Sequence, residues 1–237
     1  MANIKYIKVG NQTHTIRDPD ASKIYVSSES PQEGSAGDLW LKVYRDEAYA
    51  VFDSNDGSLT IFRDEAGKYT DGQIVDTKTY YTGIEDITGE TNPKWYNNKS
   101  SVTKIAIEDT FKPKTAYKLF HDMNGLVKIE GMENFDTSEC TNMMSMFGNC
   151  GNLTELDLSH FDTSKVTNMI YMFWLCNNLT ATLNIMKMPS EYGGMCLNTS
   201  QNSGQLTLKY TSPVTSADID LLVATENYGN VVNGGPA

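Results

Sequence analysis

A mixed α/β fold in two parts is predicted: a small all-β module over residues 1–82, then a short solenoid over 83–237. Each coil is expected to supply one strand and one short helix, and a C-terminal helix is expected to close the stack. Three observations predict this. FDTSECTNMMSMF (Phe135 to Phe147) and FDTSKVTNMIYMF (Phe161 to Phe173) are near-copies, 161 − 135 = 26 positions apart. Short alternating stretches carrying paired aliphatic residues recur on both sides of those copies. The first third of the chain has no such period, only brief alternating runs between turn residues. A single active site has no use for a second copy, whereas a stack does, because each coil buries the apolar face of its neighbour.

In the first module, Ile4–Val9 and Thr13–Arg17 read as a β-hairpin around Gly10-Asn11. The stretch SSESPQEGSAGDLWLKV reads as a loop leading into a meander. Its strands are expected at Asp38–Tyr44, Glu47–Phe52 and Ser58–Phe62, with turns at Arg45-Asp46 and Asn55-Asp56-Gly57.

In the second module, strand positions follow from VTKIAIEDTF (from Val102), LVKIEGMENF (from Leu126), LTELDLSHF (from Leu153), LTATLNI (from Leu179) and QLTL (from Gln205). The inward residues are expected to be Ile105/Ile107, Ile129, Leu156/Leu158, Leu183/Ile185 and Leu206/Leu208. First members then lie 24, 27, 27 and 23 apart, the period of a leucine-rich solenoid. The stretch Leu179–Leu183 is one residue longer than its counterparts, a departure from the repeat that leaves the register of the fourth strand open. In the other half of each coil, Met143, Met146 and Phe147 fall at i, i+3 and i+4, as do Met169, Met172 and Phe173. Leu119, Phe120 and Met123 make a similar stripe. This spacing predicts a short helix facing the strands. Ser138 or Thr141, and Ser164 or Thr167, are its expected caps. Gly151, or Asn177 and Asn178, are its expected left-handed ends. Trp95 and Tyr96 are expected to cover the first coil. Ser216 is expected to cap a closing helix that buries Ile219, Leu222 and Val223.

The net charge of −11 argues against nucleic acid and against an anionic membrane surface. No run reaches the ~18 apolar residues of a membrane span, and the first residues lack the apolar core of a signal peptide. Synthesis and folding in a cytoplasm are therefore expected. The four cysteines (Cys140, Cys150, Cys176, Cys196) form no CxxC pair. Cys150 and Cys176 occupy equivalent positions and read as small core residues in adjacent coils; a cross-coil disulfide would need oxidising surroundings. The five Asn-x-Ser/Thr sites (Asn11, Asn98, Asn152, Asn178, Asn198) carry little weight without a secretory signal.

The unit FDTSxVTNMxxMFxxCxxLTxLDLSxFDTS resembles the BspA-like leucine-rich repeat family over about residues 95–210. The resemblance is carried by Phe135-Asp136-Thr137-Ser138, Thr141-Asn142-Met143, Met146-Phe147, Cys150, Leu153 and their second copies. It implies a tandem-coil protein of bacterial surfaces or mobile elements, used for adhesion and protein binding, with no catalytic residues. Two stretches of the first module, IKVGNQTHTIRDPDA and SPQEGSAGDLWL, resemble tailed-phage structural proteins. The combination implies an anchoring module followed by a recognition module, as in a fibre or decoration subunit located on the virion. By analogy with fibres, a homotrimer is expected.

Binding is expected on the outward strand face of the solenoid: Lys104, Ala106, Lys128, Glu130, Glu155, Asp157, Thr182, Asn184, Gln205 and Thr207, positions set by strand alternation. No aromatic residue stands among them. Virion proteins are the expected partners of residues 1–82, and a host-surface protein or glycan the expected partner of the solenoid. No cofactor or metal is expected. Asp53-Ser54-Asn55-Asp56-Gly57 suggests a calcium loop, but its glycine is one place early and a hairpin turn accounts for it better. Spacing does not exclude a nucleophile–base pairing such as Cys150 with His121 or His160, but the repeat accounts for Cys150 as a core residue. The alternatives to a non-enzymatic phage protein are a bacterial cell-surface adhesin and a glycan-cleaving enzyme built on two carboxylates.

Overall fold

The structure, a computed structural model, describes residues 6–9, 12–15, 23–27, 40–44, 46–65, 68–87, 89–225 and 230–237. The expected opening hairpin is present as β1 (Tyr6–Val9) and β2 (Gln12–Thr15), paired antiparallel. Its turn at Gly10-Asn11, the Asp-Ala stretch after it and residues 31–39 of SPQEGSAGDLWL lie outside the described residues. β3 (Lys23–Ser27) and β4 (Trp40–Tyr44) form a second antiparallel pair.

The meander continues through β5 (Asp46–Asp53), β6 (Ser58–Glu65), β7 (Gln73–Val75) and β8 (Lys78–Tyr81). β3, β7 and β8 are additional to the predicted strands. Gly57, at φ +70°, closes the β5–β6 hairpin at the expected turn. Alternation divides these strands cleanly. Ala48, Ala50, Phe52, Leu59 and Ile61 enter the main core, while Tyr49, Val51 and Phe62 take the opposite face.

The solenoid strands are β9 (Lys104–Ile107), β10 (Lys128–Glu130), β11 (Glu155–Leu158), β12 (Thr180–Ile185), β13 (Leu206–Tyr210) and β14 (Val231–Pro236). β9 pairs parallel with β6, setting Leu59 against Ile105 and Ile61 against Ile107. One six-stranded sheet, in the order β10-β9-β6-β5-β8-β7, therefore runs across position 82. A second, all-parallel sheet has the order β11-β12-β13-β14.

The expected inward residues are buried, but the fourth strand sits two residues from its expected register. Leu156 pairs with Ala181 and Leu158 with Leu183; Ala181 pairs in turn with Leu206. Because 181 − 156 and 206 − 181 both equal 25, the irregular spacings of 27 and 23 become even. The small Ala181 takes the place that sequence reasoning gave to Leu183.

The short helices are not formed. In each coil the segment facing the strands is a run of overlapping turns in which alternate N–H groups have different fates. Met146, Gly148 and Cys150 bond three residues back, to Met143, Ser145 and Phe147. Met143, Ser145, Phe147 and Asn149 instead donate to Asn168, Ile170, Met172 and Trp174 of the next coil. The same ladder links Ala116, Lys118, Phe120 and Asp122 to the coil after them, and Met169, Tyr171, Phe173 and Leu175 to theirs. Every second donor points along the solenoid axis, so none is left for the i−4 carbonyl that an α-helix needs. The backbone reaches this form through left-handed residues four apart: Lys118 and Asp122, Ser145 and Asn149, Tyr171 and Leu175, Gly194 and Asn198. These, not Gly151, Asn177 or Asn178, are the left-handed positions. Ser138 and Ser164 cap no helix; their N–H groups close turns on Asp136 and Asp162 at 2.9 Å each.

The repeated letters now have physical roles. The rings of Phe120, Phe147 and Phe173 stack at 5.7 and 5.8 Å, and Phe111 stacks on Phe135 at 5.3 Å. Met143, Met146, Met169 and Met172 are fully buried beside them. Asn142 and Asn168 accept from Met144 and Ile170, opening the turn run in each coil. Cys150 and Cys176 are buried free thiols in adjacent coils, bonded at 2.9 Å to the carbonyls of Phe120 and Phe147. Thr199 continues that column with a 2.6 Å bond to Phe173.

Trp95 is fully buried under the first coil and donates to Leu119 at 3.1 Å, while Tyr96 is only half-buried. The closing helix, α1 (Ser216–Thr225), buries Ile219 and Leu222 as expected. Its cap is Thr215 rather than Ser216: the Thr215 hydroxyl and the Asp218 carboxylate bond each other's main-chain N–H groups. The helix does not end the fold, since β14 follows it and adds a further parallel strand beyond β13.

Candidate functional site

Strand pairing brings the predicted face residues to one side of the solenoid. Lys104 of β9 lies between Ser58 of β6 and Lys128 of β10; Ala106 lies between Thr60 and Glu130. On the second sheet, Glu155 is beside Thr180, and Thr182 lies between Asp157 and Thr207. Asn184 faces Lys209 and exchanges hydrogen bonds with Thr211. Gln205, just before β13, reaches Asn230 at 3.4 Å.

Charge is distributed unevenly along this face. Lys104 pairs with Asp56 at 2.7 Å and Lys128 with Glu130 at 2.8 Å. The Asp56 partner raises the Lys104 ammonium, and the Glu130 partner raises that of Lys128. The Lys128 ammonium in turn holds the Glu130 carboxyl below its ordinary value. Further along, Glu155 and Asp157 make no salt bridge among the described residues, and hydrogen bonds from Ser159 lower the Asp157 carboxyl. Acidic side chains therefore dominate the β11 end of the face.

Three depressions adjoin along it. One of about 400 Å³ is lined by Val51, Asp53, Thr60, Phe62, Tyr80 and Glu108 among others. One of about 260 Å³ lies over Ser58, Thr60, Lys104, Ala106, Lys128 and Glu130. The largest, about 540 Å³, lies where β10 and β11 part, over Val127, Ile129, Glu155, Leu156 and Thr182. The first contains what the predicted face lacked. Tyr49, Phe62, Tyr69 and Tyr80 form a ring cluster on the same side of the six-stranded sheet, with Tyr69 stacked on Tyr80 at 4.1 Å. The alternation of β5 and β6 marks Tyr49 and Phe62 as facing away from the core. Only the parallel β6–β9 pairing puts them on the same sheet face as Lys104 and Ala106.

Other candidates resolve into structure. Asp53 accepts from Asn55 and Thr77, and Asp56 from Ser58 and Lys104, which makes the suspected calcium loop a stapled hairpin turn. No group of three or more His, Cys, Asp or Glu among the described residues is placed to hold a metal. Burial pushes the Cys150 thiol well up, and that of Cys176 to about 12; each gives its proton to a main-chain carbonyl rather than to a base. Burial lowers His121, which stacks on Tyr96 beside a Lys99–Asp122 ion pair of 3.1 Å. The amides of Asn98, Asn152 and Asn178 are engaged by Tyr81, Asn124 and Gly151. No helix among the described residues is long and apolar enough to cross a membrane.

No curated protein and no solved structure matches the chain. Residues 90–206, which are 117 of the 237 and take in all the coils from β9 to the start of β13, match the family described as "Mycoplasma protein of unknown function, DUF285".

Proposed function

We propose that the chain is a non-enzymatic recognition protein that uses the outward strand face of its solenoid as the contact surface. In this reading the β-module attaches it to a larger assembly, as a fibre or decoration subunit of a phage. The observation that carries the reading is the outward strand face of β5, β6, β9 and β10, taken up beyond the β10–β11 gap by that of β11 to β13, with three adjoining depressions along it. The expected partner is a host-surface protein or glycan, and the expected assembly a homotrimer. Thr182→Arg with Asp157→Arg, both at solvent-facing positions, should abolish adsorption of the full chain to bacterial cells while leaving its melting temperature in place. Unchanged adsorption would refute the strand-face reading. A second reading, a bacterial cell-surface adhesin, is favoured by the match to a family described from Mycoplasma. Density-gradient banding separates the two: a virion subunit bands with particles, an adhesin with the cell envelope.

A further inference from the structure

We propose that the 400 Å³ depression on the β5–β6–β8 side binds an uncharged, hexose-based glycan, the sugar lying against Phe62 and Tyr80. This deepens the strand-face reading and rests on it, by naming the ligand class for one part of that face.

A sugar ring has an apolar C–H face and a rim of hydroxyls that both donate and accept, so its site needs flat rings beside open hydrogen-bonding groups. Both are present. Phe62 rests one ring face on buried Tyr49 at 5.8 Å, and Tyr80 rests one on Tyr69 at 4.1 Å; both rings also line the depression. Rings backed in this way present a fixed surface at little entropic cost. The polar lining is Asp53, Asp56, Ser58, Thr60, Lys78 and Glu108. Asp53 and Asp56 are held in place by Thr77 and by Lys104. The Thr77 hydrogen bond holds the Asp53 carboxyl below its ordinary value, and that from Lys104 does the same for Asp56. The Glu108 carboxylate, the Lys78 ammonium and the Tyr80 hydroxyl have no hydrogen-bond partner among the described residues, leaving acceptors and donors open to a ligand.

The volume lies within the ~300–1,000 Å³ of small-ligand sites. Three carboxylates against Lys78 and the Lys104 paired with Asp56 leave the depression net negative, which, on a chain of net charge −11, repels sialylated or sulfated sugars and leaves uncharged ones.

The test is retention of the full chain on an array of uncharged hexose and N-acetylhexosamine oligomers beside sialylated and sulfated ones. Binding to uncharged members is expected. Thr60→Arg, which fills the depression from a solvent-facing position, should abolish it, and Glu108→Gln should weaken it about tenfold. Tyr80→Ala should also abolish it; the two surface variants decide the matter should Tyr80→Ala fail to fold. No retention, preference for charged glycans, or retention indifferent to Thr60→Arg would overturn the proposal. Were the array blank while Thr182→Arg with Asp157→Arg still abolished cell adsorption, the strand-face reading would stand and only the glycan assignment would fall.

Discussion

The two sides of the solenoid coil treat the same layers differently. On the strand side the ladder is interrupted: beyond a 3.4 Å bond from Thr154 to Val127, no main-chain bond joins Lys128–Glu130 to Glu155–Leu158. On the turn side the same layers are joined without a break, each coil giving alternate N–H groups to the next. Thr137 helps to close the open layer, its hydroxyl donating to the Asp162 carbonyl at 3.1 Å and accepting from the Asp162 N–H at 2.8 Å. The turn column is thus what keeps the two sheets in one stack. The strand column, relieved of that task, opens at β10–β11 into the largest of the three depressions. A solenoid commonly named for its strands is here joined across its weakest layer by its turns.

The comparison can be broken most severely at the ring stack. Phe147 is fully buried between Phe120 and Phe173, and Phe147→Ala is expected to cost ~3–5 kcal/mol, measured by chemical denaturation of the whole chain. Thr137→Val should cost ~1–3 kcal/mol, because it strips both bonds from the Asp162 main chain. The equivalent clip, Thr163 to Asn184 and Met186, spans a layer whose strand ladder is intact. Thr163→Val should therefore cost less than Thr137→Val, and equal costs would argue against an open layer at β10–β11.

Ser145→Gly separates a turn column from a helix. Ser145 is left-handed at φ +55°, so glycine should leave stability unchanged or raise it by ~1 kcal/mol; in a helix the same change would lower it. The smallest effect concerns the thiols. Cys140 and Cys176 are pushed by burial from 9.0 to about 12. The folded state favours their protonated form, so their contribution is complete below pH 9.0 and is lost as pH rises toward 12. Native protein at pH 8 should resist iodoacetamide, with alkylation appearing only on unfolding.

Much of this was legible in the residues themselves. The Phe, Met and Cys repeats located the core, and the alternating aliphatic pairs located β9 to β13, because burial on both sides of a stacked coil leaves a strong apolar signature. The i, i+3, i+4 stripe of Met143, Met146 and Phe147 correctly marked a buried face but not its backbone. Overlapping three-residue turns put the same residues on one side as a helix does. The left-handed positions fall on Lys118, Ser145, Tyr171 and Leu175, where no glycine announces them. The ring cluster beside the candidate face stayed hidden for another reason, since its residues lie in a stretch with no repeat.

What the sequence determined by itself is the interior: which side chains are shared between coils, and how often. What only the tertiary structure decided is where the main-chain donors go. The direction of the N–H groups of Ser145 or Phe147 depends on having another coil alongside to accept them, and that neighbour is more than twenty residues away in the chain. The register of β12 has the same origin: Ala181 takes the inward place because Leu156 and Leu206 flank it at equal spacing, an agreement between three strands that the segment around Ala181 does not contain.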